Sequence, residues 1–301
     1  METKRIKRKI KKTMGEKAFD AFNYTFLTIL ALSCILPFIH IAALSLSSAS
    51  ASIQGRVGLW PVDFTTFSYY FAFTQTGLIR SIGISVWRVA LGVPISLILV
   101  TFASYPLSKT NKELPGRTAI SWFFIATMFF NAGLIPFFLV VSATGLRNSI
   151  WALVIPGSIW AFHLAILLNV FRQIPRDYEE SALMEGASQF RILWQIYVPL
   201  SKATLAALTL FIAVGHWNEW FHGMIFIDMR ADQPMQTYLR GNLILPDFTL
   251  LTQEQFELFM QFNVRTFQAA QIMIGTIPIL LVYPFLQRYF VKGMALGGLK
   301  G

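Results

Sequence analysis

The sequence predicts an all-α membrane protein with six transmembrane helices, on three observations. Hydrophobic residues make up 55% of the 301 and charged residues 13%. That is about half the roughly 25% charge of a soluble domain, so most of the chain must face a solvent other than water. Six apolar runs reach the ~20 residues needed to cross a bilayer. Lysine and arginine are shared unevenly between the two sets of connecting segments, eighteen against six, with Arg88 inside a run.

The first run, 19–47, follows a basic stretch and precedes Ala49, Ser50 and Ala51, so it has the outline of a signal peptide. Its apolar part exceeds the ~7–15 residues of a signal core, which makes it a first span. The others are 80–107, 118–142, 149–171, 198–227 and 269–290. Pro37, Pro94, Pro136, Pro156 and Pro278 fall inside these runs. Membrane helices tolerate proline where neighbours satisfy the freed carbonyls. The eighteen basic residues lie on the side of the N-terminus, so both ends are expected in the cytoplasm, as an even number of spans requires. Residues 1–17 read as a basic cytoplasmic tail and 18–301 as one membrane domain.

The net charge of +10 does not indicate nucleic-acid binding. Eight of the basic residues crowd into the first 17 positions beside an apolar run, where they serve as a topology signal or contact anionic membrane lipid. The single cysteine, Cys34, excludes an internal disulfide and any cysteine-based metal site.

Two connections are long, the external 228–268 and the cytoplasmic 172–199, and long ordered loops tend to carry function. Residues 174–200 read IPRDYEESALMEGASQFRILWQIYVPL. Pro175 suits a first helical turn, and Asp177, Glu179 and Glu180 suit the positive end of the helix dipole. Ser181, Ala182 and Ala187 keep the helix slim, Gly186 permits a bend or a close approach, and Pro199 marks the turn into the fifth span. A short helix of this kind fits a groove on another protein.

This segment resembles the EAA loop of binding-protein-dependent ABC importer permeases. Glu180, Ser181 and Ala182 match the triplet, Gly186 the glycine and Pro199 the following proline. Ser181 departs from alanine, Glu185 stands where aspartate is common, and Ala203 where a second proline is frequent. GHWNEWF at 215–221, PMQTYL at 234–239 and the C-terminal YPFLQRYFVKGMALGGLKG resemble the carbohydrate-uptake subfamily, with the closest likeness to its maltose-type, LplC-like group. The resemblance covers essentially the whole chain.

It implies the type I importer permease fold in a bacterial cytoplasmic membrane, with the loop at 172–199 as the coupling helix. Glu179, Glu180, Ser181, Ala182, Gly186, Ala187 and Pro199 are the residues expected to meet the ATPase. The implied partners are a second permease subunit in a heterodimer, an ATPase dimer and an extracytoplasmic solute-binding protein. The implied cargo is a sugar or oligosaccharide, uronate-containing ones included. No G-x-x-x-x-G-K-[ST] motif is present, so ATP and magnesium belong to the separate ATPase and this chain is not expected to be an enzyme.

Candidate pathway residues are Arg88 in the second span and Trp217, Asn218, Glu219 and Trp220 in the fifth. Aromatic faces and hydrogen-bonding groups are what a sugar needs. The competing role for each is structural. A central arginine must be paired or snorkel, tryptophans also form interface belts, and polar side chains also join helices. His216, Glu219 and His222 repeat every three residues, but that stripe drifts around a helix and HExxH is absent, so no metal site is expected. An ion-coupled secondary transporter is the alternative. It needs midplane acids, for which only Glu219 qualifies, and it gives the EAA-like loop no purpose.

Overall fold

A computed structural model describes residues 13–74, 76–130, 132–244 and 263–297. The basic residues before position 13, together with Asp247, Glu254, Glu257 and Lys300, lie outside the described residues. The described residues fall into two compact units, one within Met1–Tyr70 and Thr252–Met273, the other within Phe71–Leu251 and Ile274–Gly301.

The first unit is led by α1 (Met14–Ser45). The helix begins earlier than the Phe19 expected from hydropathy because Thr13 and Glu16 form a capping box. The Thr13 hydroxyl accepts from the Glu16 N–H at 3.3 Å, and the Thr13 N–H donates to the Glu16 carboxylate at 2.7 Å. Large apolar side chains stay exposed along α1, Phe22 and Ile29 among them; a helix apolar on all sides belongs in lipid. The short α2 (Ala49–Ile53) is capped by Ser48, and α3 (Phe67–Thr74) follows. Small polar contacts tie the start of the last helix into this unit: Asn263 Nδ2 donates to Ser52 Oγ at 3.1 Å, and Ser68 Oγ to Thr266 Oγ1 at 3.2 Å.

The second unit is arranged around α4 (Thr76–Ser108). One face of α4 carries Ser81, Ser85, Arg88, Gly92, Ser96, Val100 and Ser104, all buried. Small side chains let neighbouring helices approach closely where lipid offers no hydrophobic drive for association. The Ser85 hydroxyl also accepts the Met235 N–H at 2.8 Å. At Gly92 the approach is tightest, since an added Cβ would run into the His216 ring. Gly92→Val should therefore lower the thermal stability of the purified protein by about 1–3 kcal/mol, the range for overpacking, read as a shift of the melting transition in detergent.

After α4 come α5 (Arg117–Phe129) and α6 (Leu134–Ala143), then α7 (Ile150–Val154), which runs on as a 3-10 turn, and α8 (Ala161–Arg172). Next are α9 (Asp177–Met184), α10 (Gln189–Ile192), a π turn at Leu193–Tyr197, α11 (Val198–Leu200) and α12 (Lys202–Asn218). The unit closes with α13 (Phe221–Phe226), α14 (Met235–Ile244) and the later turns of α15 (Val264–Gly297). Its core joins α4, α8, α12 and the π turn through Val100, Leu164, Leu167, Phe171, Leu193 and Leu208.

By length and composition, Met14–Ser45, Gly77–Ser108 and Val264–Leu281 can each cross a bilayer alone. The third and fourth predicted spans are each a pair of helices, bent by 120° after Phe129 and 48° after Gly157, and a further pair, Gln189–Leu200 with Lys202–Asn218, bends by 82° near the start of the fifth. Local chemistry accounts for the breaks. Gly133 holds a φ of 85°, Pro156 sits in the 3-10 turn, and Ser201 leaves helical geometry. The fifth span was expected to be continuous over 198–227. Instead α12 ends at Asn218, and Glu219 is extended before α13 begins.

Candidate functional site

The break at Glu219 gathers several of the predicted pathway residues. A helix that stops inside the bilayer strands backbone groups that water cannot satisfy. Here the Glu219 carboxylate takes one side of the break, since its Oε1 accepts the His222 N–H at 2.8 Å and so caps α13. Arg88 takes the other. Reaching from α4, it donates from Nη2 to Glu219 Oε2 at 2.6 Å and from Nη1 to the Glu219 carbonyl at 2.9 Å. Arg88 is 1% exposed, so the ion pair is what makes its burial tolerable.

A cavity of about 340 Å³ opens beside this clamp, lined in part by Arg88, Ser96, Trp160, His163, His216 and Glu219. Asn218 and Trp220 also face it. Arg88 Nε and Ser96 Oγ are buried there with no hydrogen-bond partner. Trp160 stacks on His163 with ring centres 5.8 Å apart, and the Arg240 guanidinium lies 3.6 Å over the Trp220 ring. The wall thus combines flat aromatic faces with unsatisfied polar groups, a surface suited to a polyhydroxylated ring. Trp217 does not line the cavity. It is buried, and its indole N–H donates to the Gly275 carbonyl at 3.1 Å, joining α12 to α15. Among the described residues, no three His, Cys, Asp or Glu side chains converge as metal ligands.

The segment 172–199 is a set of short helices where one was expected. α9 starts with Asp177, Glu179 and Glu180 in its first turn. It ends because Gly186 adopts a φ of 77°. The Gly186 N–H then reaches the Leu183 carbonyl and the Ala187 N–H the Ala182 carbonyl, both at 2.9 Å. This is a Schellman motif, which needs a residue comfortable in the left-handed region. An added Cβ at Gly186 would meet nothing within 4 Å; the glycine serves the bend, not a close approach within this chain. Ala182 and Ala187 turn inward against the core of the second unit, whereas Glu180, Ser181 and Gly186 are exposed. Pro199 is half-buried in α11.

Glu179 points in. It is 6% exposed, its Oε1 accepts from Lys109 Nζ at 2.5 Å, and its Oε2 accepts from the Tyr197 hydroxyl at 2.8 Å. Lys109 is 8% exposed and sits 4.0 Å from the centre of the Tyr105 ring and 4.8 Å from that of Tyr197. Burial lowers the Lys109 ammonium from the usual lysine range, against the pull of the Glu179 hydrogen bond. Nearby, Thr110 holds the Glu113 carboxylate below the usual range through its hydroxyl and its N–H. Sequence reasoning used Lys109 only as a topology charge. The available signal was Tyr105 four residues earlier, a spacing that puts ring and ammonium on one side where α4 ends.

No family model matches the chain. It is 37% identical over 289 residues to Protein LplC of Bacillus subtilis (strain 168), covering 96% of this chain and 97% of the relative. It is 36% identical over 288 residues to the polygalacturonan/rhamnogalacturonan transport system permease protein YtcP of the same organism, covering 96% and 100%. A chain from the crystal structure of a bacterial ABC transporter involved in the import of the acidic polysaccharide alginate superposes with a TM-score of 0.84 at 33% identity, covering 93% of this chain and 99% of that one.

Proposed function

The chain belongs to the permease subunits of carbohydrate ABC importers, and from that premise we propose how its parts divide the work of transport. It is a membrane transport subunit, not an enzyme, of an ATP-driven sugar importer, and it acts with a partner permease, an ATPase and a solute-binding protein. The ion-coupled alternative falls with that membership.

In our reading the chain crosses the membrane six times, with both termini and the segment 172–199 in the cytoplasm. The partner permease is a different chain, and ATP and magnesium act on an ATPase dimer. The exposed side of α9, with Glu180, Ser181 and Gly186, docks on that ATPase. Glu179, Ala182, Ala187 and Pro199 support it from behind. Sugar passes the cavity beside the Arg88–Glu219 clamp, where Trp160, Asn218 and Trp220 offer contacts; Trp217 serves packing. The observation that carries the docking role is the Gly186 turn, which ends α9 while leaving Glu180, Ser181 and the fully turned-out Met184 in the open.

We assign an acidic oligosaccharide as cargo. Two relatives are named for acidic polysaccharides, and Arg88 brings a guanidinium to the cavity lining. The chain reconstituted alone should move no sugar. With both permeases, the ATPase and the binding protein present, it should import oligogalacturonate only with ATP. Uptake by the chain alone would refute the division of labour. Import of neutral but not acidic oligosaccharides by the full complex would refute the cargo assignment.

A further inference from the structure

The Lys109–Glu179 pair joins the cytoplasmic end of α4 to the body of α9. Both partners are more than nine-tenths buried. Tyr197 binds the second carboxylate oxygen, and Tyr105 and Tyr197 close over the ammonium with their rings edge to face, 4.9 Å apart. The Tyr105 hydroxyl in turn donates to Gln189 Oε1 at 2.5 Å, adding α10 to the same knot. The charged groups around it are arranged outside: Arg176 faces Glu113 at 3.6 Å, and Arg117 donates to the Lys109 carbonyl. Among the described residues, Lys109 and Glu179 are therefore each other's nearest opposite charge, with Glu113 and Arg176 further out. A buried ion pair held on every side transmits displacement, because separating it would expose an uncompensated charge to a dry environment.

α4 leads from that knot to the clamp. Lys109 follows its last turn and Arg88 lies on its buried face, about 30 Å away along a helix rising 1.5 Å per residue. We propose that Lys109 is a positioning residue for energy coupling: its buried pair with Glu179 delivers movement of α9 through α4 to the Arg88–Glu219 break and the cavity beside it. This rests on the docking role of α9 given above. One continuous helix then connects the face met by the ATPase to the wall met by the sugar. A demonstrated two-state element biased from both ends is what coupling requires.

The test uses the assembled importer in proteoliposomes, with Cys34→Ser and Gly215→Cys. Gly215 lines the cavity, and an added Cβ there meets nothing within 4 Å. The rate at which a thiol reagent labels that cysteine is compared with and without ATP plus vanadate, alongside ATP hydrolysis. With Lys109 in place, the labelling rate should change by about tenfold, within the usual range of allosteric coupling. With Lys109→Gln, ATP hydrolysis should continue while the labelling response drops to less than about a quarter of that change. Tyr197→Phe, which removes one hydroxyl and keeps the ring, should shift the response in the same direction by a smaller factor. It serves if Lys109→Gln fails to accumulate. The proposal is overturned if the parent complex shows no response, if either variant keeps the full response, or if hydrolysis and response fall in parallel. A separate cross-link from Met184→Cys to the ATPase reports on docking alone, so loss of that cross-link identifies failure of the docking role and not of the knot.

Discussion

Arg88→Met should be the most damaging single substitution in the membrane part of the chain, lowering stability by about 3–5 kcal/mol, the range for stripping one partner from a buried ion pair. Methionine fills similar volume but donates nothing. The Glu219 carbonyl and one carboxylate oxygen would then lose their guanidinium donors, at a point where the helix has already stopped. The expected result is a small fraction of monodisperse protein in detergent and a much lower melting transition. The companion variant Arg88→Met with Glu219→Gln removes the stranded charge while an amide oxygen still caps the His222 N–H. It should recover roughly half of the loss, because the carboxylate contributes the larger desolvation penalty. An Arg88→Met protein as stable as the parent would show that the clamp does not hold the break.

Gly186→Trp should leave insertion in the membrane intact and abolish co-purification of the ATPase. Two effects meet at this position. Any side chain is strained at a φ of 77°, by about 1–3 kcal/mol, and an indole would project from the exposed end of α9, where among the described residues an added Cβ meets nothing within 4 Å. Gly186→Asn separates the two, since asparagine tolerates the left-handed region and adds little bulk. It should keep most of the ATPase bound. Normal co-purification with the tryptophan variant would place the docking surface elsewhere.

The pattern of residues by itself established the solvent of this protein. Apolar runs of 20 or more residues and a scarcity of charge leave lipid as the only medium in which the chain can fold. It also marked Gly186 as either a bend or a close approach, because glycine alone suits both, and the left-handed φ of 77° with open space around it decided for the bend. It required that Arg88 be paired or snorkel, since a lone guanidinium in a bilayer is too expensive to keep. It could not say which partner. Glu219 is 131 positions away, and no local rule links them. Tertiary packing alone decided that of the adjacent Glu179 and Glu180 the first faces Lys109 and the second faces out. Neighbours on a helix differ by about 100° in direction, and only the surface they meet selects between them. Packing likewise turned Trp217 toward Gly275 and broke the fifth span at Glu219. A helix can stop in lipid only where another element supplies the missing hydrogen bonds, and that supply comes from a distant part of the chain.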